Sequence, residues 1–181
     1  METIKISAVI AVADNGAMGR GGNLPWYEIK EDFKRFYNLT AGKHIVMGRY
    51  TYESLKKRLG GNLPDRTSIV VSNSLMKASL EEANLDCIPV YSDERGVRQA
   101  IEYSLSNGQN EIVVIGGAKT LSLFSSYIDK IYLTIVHCSP KADVFFPVLD
   151  LWNFSQVKDI KRFNKDSDNQ YSFSFIDLKR N

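Results

Sequence analysis

A carboxylate on the apolar edge of a helix is the first feature of this sequence that could do chemistry. The spacing predicts a helix over residues 30–39, in which Ile29, Phe33 and Phe36 share one stripe at about 100° per residue. Asp32 lies on the edge of that stripe beside Phe36, whereas Glu31 falls on the far side with Lys30 and Lys34 and is expected to be solvated. An ionised carboxylate is costly to bury unless something pairs with it. A ligand offering two N–H donors, such as an aminopyrimidine-type ring edge, would be a suitable partner. A helix cap or a local salt bridge would use the same residue.

Anion recognition has three candidate places. Residues 112–121 run a β-branched strand into Gly116-Gly117 and then a helix, where close backbone approach and N-terminal amides suit a phosphate. The third glycine of a GxGxxG fingerprint is missing, and a plain strand–turn–helix junction accounts for the same residues. Residues 46–51 pass through Gly48 into a helix start, with the Arg49 fork able to hold a phosphate and the amides near Tyr50 and Thr51 a second one. The turn Leu63-Pro-Asp-Arg66 presents one arginine, either a carboxylate clamp or a solvated surface residue. Four glycines, at 16, 19, 21 and 22, make the loop 15–23 a mobile segment whose Met18 could close over a pocket. With only His44 and His137, no Ser/His/Asp or Cys/His set is convincing, which disfavours covalent hydrolysis. Cys87 and Cys138 lack CxxC spacing and read as structural, with no metal cluster and no disulfide framework.

The elements that must position these residues follow from pattern. The 181 residues are 44% hydrophobic and 24% charged, which is a soluble globular composition and one domain over 1–181. Lys plus Arg total 23 against 21 Asp plus Glu, a balance that argues against nucleic acid or an anionic membrane as partner. The apolar stretch 6–13 is too short for a signal peptide and reads as a buried first strand, so a cytoplasmic protein is expected. Strands are predicted at 4–12, 44–47, 67–71, 88–91, 112–115 and 130–136, with helices at 30–39, 50–59, 94–105 and from 118. Residues 154–163 and 171–178 alternate around a polar turn at 164–169. The fold class expected is α/β: a central, mostly parallel twisted sheet flanked by helices on both faces, with an antiparallel C-terminal hairpin at an edge. Ligands bind such sheets beyond the carboxyl ends of the strands.

In order and spacing the segments resemble dihydrofolate reductases over nearly the whole chain. The residues that carry the likeness are Leu24-Pro-Trp26, Asp32-Phe33, Val46-Met-Gly-Arg-Tyr-Thr-Tyr-Glu-Ser54, Leu63-Pro-Asp-Arg66, Ile115-Gly-Gly117, Tyr132-Leu-Thr134 and Asp143-Val-Phe-Phe-Pro147. The resemblance implies NADPH-dependent reduction of 7,8-dihydrofolate to tetrahydrofolate, with hydride passing from nicotinamide C4 to pterin C6. It implies a catalytic group of Asp32, Trp26 and Thr134, in which Asp32 binds the pterin 2-amino group and N3 and favours protonation of N5 through water. Val9, Ala11, Phe33, Phe36, Leu55, Leu63 and Ile115 would wall the substrate, and Arg66 would clamp its glutamate α-carboxylate. NADPH would be held by Met18, Gly19, Gly48, Arg49, Tyr50, Thr51, Ser72, Asn73, Gly116, Gly117, Ala118, Lys119 and Thr120, with a cis Gly–Gly peptide at the pyrophosphate turn. Arg49 and Ser72 would read the 2′-phosphate.

Some positions depart from the pattern. Leu121 stands where many members carry a tyrosine, Tyr27-Glu28-Ile29 replaces a proline-containing segment, and Asn73 and Val144 replace commoner residues. Two other readings keep the fold. One is a reductase of a ribosylaminopyrimidine intermediate of riboflavin synthesis, which would want more basic residues for its phosphate. The other is a non-catalytic folate-binding or structural protein, which would not keep the complete residue set. The expected partners are NADPH and dihydrofolate, the expected state a monomer.

Overall fold

A computed structural model describes residues 4–81, 86–147, 149 and 151–181. The β-branched runs become β1 (Lys5–Ala13), β3 (His44–Gly48), β4 (Thr67–Val71), β5 (Ile88–Val90), β6 (Glu111–Gly116) and β7 (Lys130–Val136). Between them lie α1 (Lys30–Thr40), α2 (Arg49–Leu59), α3 (Asn73–Glu81), α4 (Glu94–Ser106) and α5 (Ala118–Phe124). β1 pairs in parallel with both β6 and β7, and β3, β4 and β5 extend the parallel sheet from β6. Alternation along the strands fills both faces. Ile112 and Val114 of β6 pack with Val97 and Ala100 of α4 and Leu121 and Phe124 of α5. Val113 of the same strand packs with Ile45, Met47, Val70 and Tyr52 of α2 on the other side. The apolar stretch 6–13 is buried strand, as expected.

The antiparallel tail lies at one edge of the sheet, as expected: β11 (Phe173–Arg180) runs antiparallel to β7 and carries further strands on its outer side. One expectation changes: the first arm of the tail is not continuous. It splits into β9 (Phe154–Gln156) and β10 (Lys161–Phe163), which pair with opposite ends of β11. Val157 still donates its N–H to the Asp177 carbonyl at 3.0 Å, residues 158–160 leave the ladder, and the Gln156 amide donates to the Lys158 carbonyl at 2.7 Å. The glycine-rich loop makes contacts that its sequence did not announce. β2 (Ala17–Gly19) pairs with β8 (Val144–Phe145), Arg20 and Asn23 exchange backbone hydrogen bonds, and the Ser54 hydroxyl donates to the Gly22 carbonyl. The partner segment lies about 125 residues away in sequence, so no local pattern announced it. α3 carried no expectation.

Candidate active site

The carboxyl ends of β1, β3, β4 and β6 open onto a cleft of about 970 Å³. Val9 and Ala11 reach it from β1, and Ile115 and Gly116 from the end of β6. Phe33 and Phe36 of α1 face Leu55 of α2 across it. Met18 and Gly19 close one side, joined there by Leu24, which sequence reasoning left unassigned. Asp143 holds that side in place: its carboxylate accepts from the Gly21 N–H at 2.8 Å and its own N–H donates to the Gly19 carbonyl at 3.1 Å.

Asp32 sits at the cleft wall in the first turn of α1. Ile29, the residue before the helix, offers no side-chain cap, so the acids of the first turn meet the positive end of the helix dipole. Thr134 is 2% exposed and donates its hydroxyl to Asp32 Oδ1 at 2.7 Å, across 102 residues of sequence. The parallel register pairs Thr134 with Ala11, which lines the cleft, and so places that hydroxyl behind the cleft wall at Asp32. Burial pushes the Asp32 carboxyl above its ordinary value, while the Thr134 hydroxyl and the positive charge of Arg35 pull it back. Glu31 departs from its expected place. Its Oε2 is buried without a hydrogen-bond partner. A helical wheel sees the helix alone and not the turn at 164–170, which reaches the start of α1 where Asp168 pairs with Lys30 at 2.9 Å.

The other half of the cleft has the donors of an anion site. Gly48 precedes α2 and Gly117 precedes α5, and neither supplies a side-chain cap. The first amides of α2 are therefore available to an anion. The two junctions nearly touch: a Cβ on Gly48 would lie 2.9 Å from Thr120 Oγ1, and one on Gly117 3.4 Å from Thr51 Oγ1. The Gly116–Gly117 peptide is cis, and Gly116 has φ +119° with nothing within 4 Å of a built Cβ. Arg49 donates to Glu53 at 2.6 Å and to the Ser74 hydroxyl at 2.9 Å, and Ser72 lies 3.0 Å from Ser74. One arginine, several serine hydroxyls and unfilled backbone amides around a cradle where a side chain would intrude form the donor set of a phosphorylated dinucleotide. Tyr50, Ala118, Lys119 and Thr120 line the same half.

Some expected site residues stand off the cleft wall. Trp26 is buried among Ala13, Ala17, Ile29, Val136 and Phe173. Leu63 lines a small depression behind α2 with Met47 and Tyr52. Arg66 donates to Thr40 Oγ1 at 2.9 Å and to the Pro64 carbonyl at 2.6 Å, over the Tyr37 ring. Two of the five N–H donors of Arg66 are thus engaged. Asn73 accepts from the Ser92 N–H at 3.0 Å, and it is Ser74 and Ser92 that face the cleft. Leu121 is fully buried in the core, with Leu123 lining the cleft instead. Arg58 was missed as well. It lines the cleft with its guanidinium 5.3 Å from the Phe33 ring centre.

The structure also assembles a Ser/His/Asp set that the sequence did not suggest. His137 lies 3.1 Å from Asp14 and 2.8 Å from the Ser174 hydroxyl, just beyond β7 rather than inside a strand. Ser174 is 4% exposed within β11, so no substrate reaches its hydroxyl and the set serves as a clasp between strand ends. Cys87 and Cys138 are free thiols, and no group of metal-binding side chains occurs among the described residues.

Comparison with known proteins gives one answer. Residues 5–180 match the dihydrofolate reductase family. The chain is 33% identical over 177 residues to the dihydrofolate reductase of Buchnera aphidicola subsp. Acyrthosiphon pisum, spanning 98% of this chain and all of that one. It is 32% identical to dihydrofolate reductase HdrB of Haloferax volcanii, across 98% of this chain and 84% of the relative. The solved structure of the Enterococcus faecalis dihydrofolate reductase complexed with NADP(H) and RAB-propyl superposes with a TM-score of 0.80 at 26% identity, covering 98% and 96% of the two chains. A cleft built around one buried acid and a dinucleotide cradle, on a chain aligned end to end with these reductases, places this oxidoreductase in the dihydrofolate reductase family.

Proposed function

We propose that Asp32, held by Thr134, is the group that binds the pterin and favours its protonation in the NADPH-dependent reduction of 7,8-dihydrofolate to tetrahydrofolate, the reaction of this enzyme. The observation that carries the assignment is the 2.7 Å hydrogen bond from Thr134 to a carboxylate buried at the cleft wall. With one oxygen accepting from Thr134, the carboxylate directs its remaining lone pairs to the two N–H donors of the pterin edge, a bidentate charge-assisted pair. Phe33, Phe36 and Leu55 exclude water around the ring, which strengthens that pair and aligns the reacting face. When bound, NADPH supplies the hydride, carried from nicotinamide C4 to pterin C6. Gly48, Thr51, Gly116, Gly117 and Thr120 hold the phosphates, while Arg49, Ser72 and Ser74 take the 2′-phosphate. The test is NADPH oxidation with and without dihydrofolate. Oxidation that depends on dihydrofolate is expected. NADPH that binds but is not oxidised would overturn the folate assignment.

Two further outcomes follow from single contacts. Arg49→Gln removes a charge-assisted contact worth about 1.5–3 kcal/mol, so the preference for NADPH over NADH should fall roughly 10- to 150-fold. An unchanged ratio of kcat/KM values for the two cofactors would move the 2′-phosphate elsewhere. Arg66→Leu removes a contact of the same kind, and the KM for dihydrofolate should rise over the same range with kcat little changed. Equal KM values in wild type and variant would exclude Arg66 as the clamp.

The reading extends to a single-domain monomer acting in the cytoplasm. In its support, no helix among the described residues is long and apolar enough to cross a membrane, and the large exposed side chains include single, scattered ones such as Tyr27 and Trp152.

A further inference from the structure

Asp32 is not the only buried charge on its face of α1. One helical turn on, Arg35 donates through Nη2 to Asp177 Oδ1 of β11 at 2.6 Å, and both side chains are largely shielded, at 13% and 14% exposure. The guanidinium lies 4.3 Å from the Phe175 ring centre and 5.9 Å from that of Tyr132. Sheet register explains the company. Phe175 is the cross-strand partner of Thr134, and Asp177 is the partner of Tyr132. Three helix residues rise about 4.5 Å and two strand residues about 6.6 Å. A helix laid across β7 and β11 therefore drops Asp32 onto Thr134 and Arg35 onto Asp177. Residues three apart on a helix are neighbours, so the cation stands beside the cleft acid as well as beside its own anchor.

Charges around the anchor leave Arg35 free to act on Asp32. Asp177 also has Lys130 Nζ at 3.8 Å and Lys158 Nζ at 3.6 Å, so one carboxylate is shared among three cations. Of the other charged groups near Asp32, Glu31 follows the helix on a different face, and Arg58 of α2 stands over Phe33. We propose that Arg35, anchored on Asp177 and the Phe175 face, is a positioning residue for the reductase reaction that sets the pH range in which the Asp32 carboxylate is charged. The proposal rests on the reading of Asp32 given above. It couples the cleft acid, through the helix turn it shares with Arg35, to the Arg35–Asp177 pair that ties α1 to β11. Burial raises the Asp32 carboxyl and lowers the Arg35 guanidinium, and against that background Arg35 pulls Asp32 down while Asp177 and Asp32 favour the charged guanidinium.

The test titrates the enzyme–NADPH complex labelled with ¹³C at aspartate carboxyls, the Asp32 resonance being identified by its loss in Asp32→Asn. In Arg35→Met the Asp32 midpoint should move up. In Asp177→Asn, where Arg35 loses its compensating anion, it should move down. Arg35→Lys, which keeps charge without the fork, should stay near wild type. The pH profile of kcat should shift in the same directions. A pin between helix and sheet would not move the midpoint in opposite directions in the two variants. The double variant Arg35→Met/Asp177→Leu replaces the pair by apolar contacts, a change often tolerated, and should still show the upward shift if the single variants do not fold. Midpoints that coincide with wild type in the folded variants would overturn the proposal. Should Asp32→Asn keep the wild-type pH profile of kcat, the reading of Asp32 itself would fall, while the titration would still decide whether Arg35 governs its charge.

Discussion

Asp32→Asn is expected to fold normally and to lose about 10²- to 10⁴-fold in turnover with dihydrofolate at neutral pH, the range that positioned acid–base groups contribute. The asparagine still accepts from the Thr134 hydroxyl, so the local structure has no reason to change. It cannot carry the negative charge that pairs with both pterin donors and favours a proton on N5. Solution protons can replace that help, so the deficit should narrow as the pH falls. Stability should move the opposite way. Burial holds the folded carboxyl above its ordinary range. A raised carboxyl contributes to stability while protonated, and that contribution is lost as the pH rises through the folded-state value. Above that value the wild type keeps an ionised group that opposes folding, and there Asp32→Asn should melt at a higher temperature. The difference should close towards acid pH. Turnover within threefold of wild type at neutral pH would remove Asp32 from the mechanism.

Gly96→Ala should be the most damaging small substitution away from the cleft. A Cβ there would lie 1.8 Å from the Tyr91 carbonyl oxygen and 2.7 Å from its carbon, and both are backbone atoms with no rotamer to give way. Gly96 is buried in the first turn of α4, and its N–H donates to Asp93, the residue that caps the helix. Relief requires moving α4 away from the end of β5, which breaks the burial of Val97 and Ala100 against the sheet. Overpacking of this severity costs about 3 kcal/mol, or some 6–12 °C in Tm for a chain of this size. Thermal unfolding measures it directly. A melting curve that overlays the wild type would mean that the Tyr91 backbone yields freely.

Where a feature depends on local pattern, the sequence declared it; where it depends on a distant segment, it did not. The strands at 67–71 and 130–136 appear with their expected bounds, because a run of β-branched residues needs no partner to be recognised. Asp32 was legible from the phase of one helix. Its link to Thr134 was legible only through the family resemblance and not from the helix phase, since it depends on the register of β1 against β7. Glu31 was misread because a helix seen alone does not show the turn at 164–170 that reaches its start, and the pairing of the glycine-rich loop with Val144–Phe145 lies equally far along the chain. Nothing in the sequence singles out Gly96, and only the Tyr91 carbonyl above it gives the glycine its purpose. The Arg35–Asp177 pair was invisible too, being a contact between residues 142 apart.

The position of β11 between β7 and its outer neighbours bears on how the enzyme is made. A chain leaves the ribosome from its amino end, so β1 to β7 are available while residues 173–180 are still inside the tunnel. During that interval β7 has β1 on one side and an open edge on the other, with the backbone groups from Lys130 to Val136 unpaired there. Arg35 has no counter-ion, and the segments at 154–156 and 161–163 have no strand to join. The nascent polypeptide is thus a sheet with a sticky side and an unfinished pocket. A single insertion event, the arrival of β11, seals the edge, neutralises the buried cation and completes the surroundings of the acid together.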